Sequence, residues 1–312
     1  MKKAIFAVAL LFAAAAPVRA AKLKVLATIP ELADMAARIG GDYVDVEGTL
    51  ARGTEDIHQV VMRPSFVTKL NRADAVIYLG LTVEHSFLPG LLDAAVNPKL
   101  RTDPVRECVG DGCIDVSEGV QILEKPETLS RSEGELHPYG NPHYNVGSQN
   151  GPQIARNIAA GFSRIDPAHA ADYQKNLKTY LSEIEPRVAE WKKMVAPLKG
   201  VKAISYHKDV AYLAKFTGLD FIDTVELKPG VPPTPTHLER LIEEMKAQNV
   251  KLIVREQHFE TKTVEWLAEQ TGAKIAVIGV MANSLPDTKT WVKLQEKNLK
   301  NIVTAVTGKE PS

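Results

Sequence analysis

The sequence has no excess of either charge. Its 312 residues include 38 lysines and arginines against 38 aspartates and glutamates, which gives a formal net charge of zero. A protein that binds nucleic acid needs a basic surface to neutralise phosphates, so the charge balance argues against a nucleic-acid partner. With 45% hydrophobic and 24% charged residues, the chain has the composition of an ordinary globular protein of about two lobes.

Long hydrophobic runs are absent from the sequence after its first 20 residues. Before that point, Lys2 and Lys3 precede an apolar run over residues 4–16, and Val18-Arg19-Ala20 places small residues at a cleavage site. This pattern predicts a cleavable secretory signal peptide over residues 1–20, because a membrane-spanning helix would need roughly 20 apolar residues. No cysteine follows the cleavage site to carry a lipid anchor. We therefore expect a soluble protein in a periplasm.

Cysteine is scarce, with two residues in the whole chain. Cys108 and Cys113 lie in the segment Cys-Val-Gly-Asp-Gly-Cys, a glycine-containing turn that can bring two Cβ atoms within reach of a disulfide. An exported protein forms and keeps such a bond. A two-cysteine metal site is the alternative, but no histidine or further cysteine lies beside the pair. The sequence therefore predicts a local, structural disulfide.

The sequence also lacks the common catalytic motifs. It contains no His-Glu-x-x-His, no Gly-x-Ser-x-Gly and no glycine-rich loop that could bind phosphates. Three histidines on a zinc ion with an open position could still activate water, so a three-histidine zinc enzyme is the enzymatic alternative. Because nothing supplies the rest of a catalytic site, we expect a protein that is not an enzyme.

Two stretches of the chain alternate short apolar runs with helical patterns, which predicts an α/β fold. We expect two lobes over residues 21–166 and 199–312, each with a small parallel sheet flanked by helices. Residues 167–198 contain few helix breakers apart from Pro186 and predict one long, rigid backbone helix that joins the lobes. Residues 124–140, rich in Ser, Glu, Gly and Pro, predict a mobile surface loop. The predicted strands are 23–29, 43–50, 74–79, 201–206, 219–225, 250–254 and 274–280, and a closing helix is predicted over 287–307.

Three of the eight histidines stand out by their position in this pattern. His58, His143 and His207 each lie after a predicted strand or in a connecting loop, where open α/β sheets bind their ligands. Their separations along the chain are too long for a local motif on one helix. A shared site would therefore have to form at the cleft between the lobes. Taken singly, any one of these histidines is more simply a solvated or capping side chain.

At these positions the sequence resembles the solute-binding proteins of ABC importers for zinc and manganese, of the zinc-uptake and adhesin type. The resemblance covers essentially the whole chain after residue 20. Four segments carry it, and the last is the most specific: Asp56-Ile57-His58, Asn141-Pro142-His143, Tyr206-His207 and Lys228-Pro229-Gly230-Val231-Pro232-Pro233.

The resemblance implies a divalent first-row cation held between the lobes by His58, His143 and His207. Neutral imidazoles suit Zn²⁺, and manganese-type members of the family tend to have glutamate at the third position, so His207 favours zinc over Mn²⁺. The implied partners are an inner-membrane ABC permease with its cytoplasmic ATPase, and possible loading by a periplasmic metallochaperone. We expect a monomer. The alternatives are a periplasmic zinc metallochaperone or an adhesin-like protein.

One departure from the family leaves the fourth ligand open. Asn283 stands where many members supply an aspartate, and the histidine-rich loop of some zinc members is absent. The remaining candidates for the fourth ligand are a water, Asn283, Asp287, Glu55, Asp56 and His258. Among the other side chains, the sequence predicts that His85 caps or packs and that His169 and His237 are solvated. His137 is a further candidate for an accessory ligand, and Glu226 and Glu256 are candidates to orient imidazole N–H groups, although a purely structural role is the simpler interpretation of each.

Overall fold

The computed structural model of the protein describes residues 21–126 and 137–311. The predicted signal peptide and the greater part of the predicted loop over 124–140 lie outside these residues. Within them, no helix is both long enough and apolar enough to cross a membrane.

A four-stranded parallel sheet lies at the centre of the N-terminal half. Its strands run in the order β2-β1-β3-β6, and every residue of β3 is buried, as expected for a parallel strand that is covered on both faces. The elements of this half are β1 (Leu23–Ala27), α1 (Pro30–Gly40), β2 (Val44–Thr49), α2 (Pro64–Leu70), β3 (Ala75–Tyr78), α3 (Leu88–Ala95), β4 (Arg101–Asp103), β5 (Glu107–Val109), β6 (Cys113–Asp115) and α4 (Gly151–Ile165).

A second four-stranded parallel sheet forms the C-terminal half, in the order β10-β9-β7-β8. One face of this sheet shares a buried cluster with the N-terminal half, and the other face is covered by α7 and α8. The two parallel sheets with flanking helices confirm the predicted α/β class. The elements are β7 (Lys202–Ser205), α6 (Ala211–Thr217), β8 (Asp220–Thr224), α7 (Pro235–Ala247), β9 (Leu252–Glu256), α8 (Lys262–Thr271), β10 (Lys274–Ile278) and α9 (Trp291–Thr307).

One long helix, α5 (Ala170–Met194), connects the two halves, as predicted. Its 25 residues give a length of about 37 Å at 1.5 Å per residue. Short 3₁₀ turns at Pro167–His169 and Ala196–Leu198 occupy the ends of the predicted span. Pro186 lies inside the helix and removes one backbone hydrogen bond. A stripe of side chains buries this helix against the rest of the fold: Tyr173, Leu177, Tyr180, Ile184 and Trp191.

The last helix, α9, packs against both halves of the molecule. Its first residue, Trp291, contacts Trp191 of α5 with ring centroids 5.8 Å apart. A Cβ on Gly151 would meet the Trp291 ring at 2.1 Å, so α4 must begin with glycine there. The predicted start of α9 at residue 287 is wrong: the helix begins at Trp291, because Thr290 caps it by accepting a hydrogen bond from the backbone N–H of Lys293.

A short antiparallel hairpin, β4 with β5, was not predicted from the sequence. The predicted disulfide ties this hairpin to the sheet, since Cys108 of β5 bonds Cys113 at the start of β6 with their Cα atoms 5.8 Å apart. The hydroxyl of Tyr78 also donates to the carbonyl oxygens of Arg106 and Cys108, each at 3.2 Å. The disulfide thus joins the hairpin to β6, an edge strand of the N-terminal sheet.

Candidate metal centre

The three predicted histidines meet between the two halves of the molecule. His58 lies in a 3₁₀ turn after β2, His143 precedes another 3₁₀ turn between β6 and α4, and His207 follows β7. All three are buried, and one ligand atom from each lies within 4.8 Å of the others. The structure therefore brings together side chains that are separated widely along the chain, in the arrangement that a single cation needs.

His143 is oriented by Asn141. The Asn141 amide nitrogen donates to Glu124 Oε2 at 2.9 Å and to the carbonyl oxygen of Lys208 at 3.1 Å, so its oxygen Oδ1 faces His143. Oδ1 accepts both the backbone N–H and the Nδ1–H of His143 at 3.0 Å. Because Nδ1 carries the proton, Nε2 carries the lone pair that could bind a metal ion. Burial, and then the neighbouring His58 and His207, hold the pKa of His143 well below its usual value.

His58 faces His143 directly, with 2.9 Å between the two Nε2 atoms. Since Nε2 of His143 bears a lone pair, the proton between them belongs to His58, and a cation at this position would replace it. The Asp56 carboxylate accepts the backbone N–H of His58 at 2.9 Å and holds the turn. Burial lowers the pKa of His58 to about 4 despite the opposing charge of Asp56, so this imidazole is neutral at physiological pH.

His207 differs from the other two because a carboxylate lies behind it. Its Nδ1–H donates to Glu226 Oε2 at 2.7 Å, which leaves Nε2 as the candidate ligand atom. Burial lowers the pKa of His207, but the hydrogen bond to Glu226 and the charge of Asp209 outweigh it, so the pKa lies above its usual value. A carboxylate partner of this kind fixes the ring and raises its basicity as a ligand. The predicted role of Glu226 is confirmed.

Glu256 does not have the role predicted for it. It ends β9 and is fully buried, but it lies against Asp209 and the backbone of His207 rather than an imidazole N–H. Burial first, and then the charge of Asp209, raise its pKa well above the usual range. Glu256 is therefore more readily protonated than an ordinary glutamate.

The candidates for a fourth ligand stay outside the group of three histidines. Asn283 and Asp287 are exposed, and Glu55 accepts the backbone N–H of Arg52. His258 lies close enough for its charge to depress the pKa values of His58 and His143. Among the described residues, the group whose ligand atoms lie within 4.8 Å of one another contains the three histidines alone, and the fourth ligand stays open.

Two further histidines lie next to the site. The ring of His137 is 5.2 Å from that of His58 and 5.8 Å from that of His143, and the ring of His85 is 6.1 Å from that of His137. Burial, and then the neighbouring histidines, lower the pKa of His137 to about 3. The sequence predicted an accessory role for His137, but nothing in it indicated that His85 would lie beside it.

The prediction of solvated side chains for the remaining two histidines is wrong. His237 is buried, and its Nε2 contacts the carbonyl oxygen of Thr224 at 3.0 Å. His169 is half-buried and stacks on Tyr43 with ring centroids 3.9 Å apart. Both rings pack against neighbouring segments that the helix pattern alone could not reveal.

A cavity of about 1080 Å³ opens beside the site. His137, His143 and His207 line one end of it, and residues 219–224, which include the edge strand β8, line the other. Two of the three histidines, His143 and His207, thus border a cavity that lies between the C-terminal sheet and the segment that holds His143.

Two parallel α/β halves, a long connecting helix and buried histidines in the cleft define the metal-binding, substrate-binding proteins of ABC importers. Residues 25–305 match the ZnuA family, described as the zinc-uptake complex component A, periplasmic. The chain belongs to this family. Because it is a family of solute-binding transport proteins, the expectation of a protein that is not an enzyme is confirmed.

Relatives of this chain are named for different metals. The iron ABC transporter substrate-binding lipoprotein MtsA of Streptococcus pyogenes serotype M1 is 26% identical over 264 residues, covering 81% of this chain and 78% of MtsA. The manganese ABC transporter substrate-binding lipoprotein PsaA of Streptococcus pneumoniae serotype 4 is 25% identical over 256 residues, with the same coverage of 81% and 78%.

Solved structures show the same fold. A crystal structure of ZnuA is 25% identical with a TM-score of 0.73, covering 91% of this chain and 99% of that one. FpvC of Pseudomonas aeruginosa in complex with Mn²⁺ has a TM-score of 0.76 at 20% identity, covering 92% and 99%. At that identity the likeness to FpvC supports the fold alone.

Proposed function

We propose that this protein captures Zn²⁺ with His58, His143 and His207 and delivers it to an inner-membrane ABC permease. The observation that carries the proposal is the convergence of three buried imidazoles whose ligand atoms lie within 4.8 Å of one another. At two of the three, Nδ1–H donates a hydrogen bond to an oxygen atom, which leaves the lone pair on Nε2. The site is therefore pre-organised for a cation and does not require refolding to bind one.

The donor set supports zinc over manganese. All three proposed ligands are nitrogen atoms, and no carboxylate joins them within the described residues. Imidazole suits Zn²⁺, with Zn–N distances of about 2.0–2.1 Å, whereas Mn²⁺ favours carboxylate and water oxygens. Two nearby acids hydrogen-bond to the histidines instead of joining them as ligands: Asp56 accepts the backbone N–H of His58, and Glu226 accepts the Nδ1–H of His207.

We also propose a domain organisation, a location and partners that are consistent with this fold. Residues 21–166 and 199–312 would form the two lobes, and residues 167–198 the helical connection between them. A cleavable signal peptide over residues 1–20 would place the protein in the periplasm, as a monomer. The permease, with its cytoplasmic ATPase, would receive the metal there, and a periplasmic metallochaperone is a further possible donor.

Metal titration of the purified protein tests the metal and the site together. We expect one tightly bound Zn²⁺ per chain, with Mn²⁺ unable to displace it in competition. His143→Ala should abolish tight binding, and His169→Ala, a change of a half-buried histidine far from the cleft, should leave it intact. Tight manganese binding without a preference for zinc would overturn the choice of metal, and retention of tight zinc in His143→Ala would overturn the site.

Delivery needs a separate experiment in cells. We expect a strain that lacks this gene to grow poorly when zinc is chelated and to recover with the wild-type protein but not with His143→Ala. Radioactive ⁶⁵Zn uptake by the same strains reports transport directly. Equal uptake with and without the protein would contradict delivery to a permease even if the titration shows zinc binding.

A further inference from the structure

One buried carboxyl group joins the two halves of the molecule beside the metal centre. Glu31 is the second residue of α1, in the N-terminal half, and only 1% of it is exposed. Its Oε2 accepts the backbone N–H of Ala282, which follows β10 in the C-terminal half, at 2.9 Å. Its Oε1 accepts a hydrogen bond from Nδ2 of Asn145, also at 2.9 Å. Glu31 thus binds two segments that lie 251 and 114 residues away along the chain.

Asn145 extends this contact to the segment that carries His143. It lies two residues after that histidine, in the 3₁₀ turn Tyr144–Val146, and it is buried. The Nδ2 atom that donates to Glu31 also donates to the carbonyl oxygen of Val280 at 2.8 Å, so both hydrogens of the amide group are used. This amide therefore ties the His143 segment to α1 and to the residues after β10 at once.

Ala282 also supports the loop that carries His58. Gly53, five residues before that histidine, has a φ of 100°, and a Cβ on it would lie 2.0 Å from the carbonyl oxygen of Ala282. Such a backbone conformation and such a close approach both require glycine. A second contact holds the same loop, since Nε2 of Gln257, which follows β9, donates to the carbonyl oxygen of Thr54 at 3.3 Å. Ala282 therefore lies with its N–H towards α1 and its carbonyl oxygen against the His58 loop.

We propose that Glu31 is a positioning residue for the metal centre: through the segment 280–282 it holds the two N-terminal ligands opposite His207. The inference rests on the proposed function, because it concerns the same three-histidine site. Without the acceptors of Glu31, two buried N–H groups lose a hydrogen bond, and arrangements in which water reaches them become more populated. The apparent affinity of a site falls with the fraction of molecules in its binding-competent arrangement, so Glu31 should affect metal binding without contacting the metal.

Asp34, about one turn further along α1, provides a matched control. Its Oδ2 accepts the backbone N–H of Trp291 at 3.2 Å, so it also joins α1 to the C-terminal half through one backbone donor. That donor is the first residue of α9, whereas the bond from Glu31 leads to the segment 280–282, which supports both ligands. Replacing Asp34 should therefore leave the metal affinity unchanged.

Zinc affinity, measured with a competing chelator, tests the proposal. Glu31→Leu removes both acceptors, Glu31→Gln keeps one acceptor oxygen, and Asp34→Leu is the control. We expect Glu31→Leu to raise the dissociation constant for Zn²⁺ about tenfold, a difference of about 1.4 kcal/mol. Glu31→Gln should keep part of the lost affinity, and Asp34→Leu should match wild type. Because the ligands themselves are unchanged, the visible absorption of Co²⁺ at saturation should be the same in every variant.

Gly53→Ala tests whether Ala282 transmits the effect. The added Cβ must push Ala282 away from the His58 loop, so this change alone should also weaken zinc binding. In the double variant Gly53→Ala/Glu31→Leu, we expect a loss smaller than the sum of the two single losses, because both act through one segment. Losses that add would mean that the two residues act independently, which contradicts the proposed route.

Three further results would overturn the proposal. Wild-type affinity in both Glu31 variants would mean that this residue stabilises the fold alone. An equal loss in Glu31→Leu and Asp34→Leu would mean that any weakened contact between the halves lowers the affinity. A changed Co²⁺ spectrum at saturation would mean that Glu31 alters the ligand set. The proposed function fails separately, since a wild-type protein that binds no zinc tightly refutes it without any variant.

Discussion

The two walls of the cleft present their histidines in opposite electrostatic states. On the N-terminal side, His143 is oriented by the neutral amide of Asn141, and the pKa values of both His58 and His143 are lowered by burial. On the C-terminal side, His207 is oriented by the carboxylate of Glu226, and its pKa is raised. The N-terminal wall thus offers imidazoles that stay neutral until the pH falls well below the usual histidine range, whereas the C-terminal wall offers the imidazole on which protons compete most strongly with metal.

Removing one histidine from each wall should give the largest effects. We expect His143→Ala and His207→Ala each to weaken zinc binding by more than about 100-fold. That value is the upper end of the loss in metal affinity when a residue that orients a ligand is removed. Without metal the two should differ. His207→Ala removes the imidazole donor of the buried Glu226 and leaves it the longer bond from the backbone N–H of Gly230 at 3.4 Å, which should lower the free energy of unfolding by about 1–3 kcal/mol. In His143→Ala, by contrast, Asn141 still accepts the backbone N–H. Urea unfolding of both variants measures this, and equal losses would contradict the asymmetry.

Neutralising the carboxylate on the C-terminal side should have the next largest effect. Glu226→Gln keeps an acceptor for Nδ1–H of His207 but removes the charge, so the imidazole becomes a weaker base. We expect zinc affinity to fall about 10- to 100-fold, as for other partners of ligating histidines. Isothermal titration with a competing chelator measures the change. An unchanged affinity would mean that the charge of Glu226 does not act on the metal.

The pH dependence of zinc binding should follow His207 alone over most of the acidic range. A raised histidine pKa means that the proton competes with metal below that pKa, so the dissociation constant should rise about tenfold per pH unit below pH ~6.5. His58, with its pKa of about 4, adds a second proton only in stronger acid. Titrations between pH 5 and 8 distinguish this slope of one from the steeper slope of three ordinary imidazoles, which would refute the asymmetry.

The smallest effect should come from the second acid behind His207. Because burial and the charge of Asp209 raise the pKa of Glu256 and so favour its neutral form, Glu256→Gln should change the charge of this buried side chain little. We expect a change in zinc affinity well below the about tenfold cost of losing an orienting charge. Comparing the zinc affinities of Glu256→Gln and Glu226→Gln shows which of the two acids carries the charge that acts on the metal. A loss as large as that of Glu226→Gln would show that Glu256 is ionised.

The sequence predicted those parts of the molecule that depend on local pattern. The apolar runs located most strands to within a few residues, whereas the resemblance to a known family was needed to single out His58, His143 and His207. The start of α7 shows the same kind of local signal, since Thr234 stands directly before Pro235 and accepts the backbone N–H of His237. Each of these signals lies within a few residues of the feature that it predicts.

The features that the sequence could not predict depend on distant parts of the chain. The hairpin of β4 and β5 has strands of three residues, too short to show an alternating pattern. His85 and His137 both contact Thr82, whose left-handed backbone donates its N–H to Glu107, 25 residues further along the chain. His237 of α7 is buried because it packs against Thr224 at the end of β8. The sequence of α7 alone does not show that this strand end lies beside it.

The packing of α9 limits how the cleft could open. Its residues Leu299 and Ile302 belong to the same buried cluster as Leu26 and Ile29 of the N-terminal half, and Trp291 packs on Trp191. A wide rotation of one half against the other would expose this shared apolar surface, at a cost of about 25 cal/mol for each Å². Release of a bound metal would therefore involve movement of a few side chains and loops at the rim of the cleft. In the proposed function, the permease would take up the ion by ligand exchange rather than after a wide separation of the two halves.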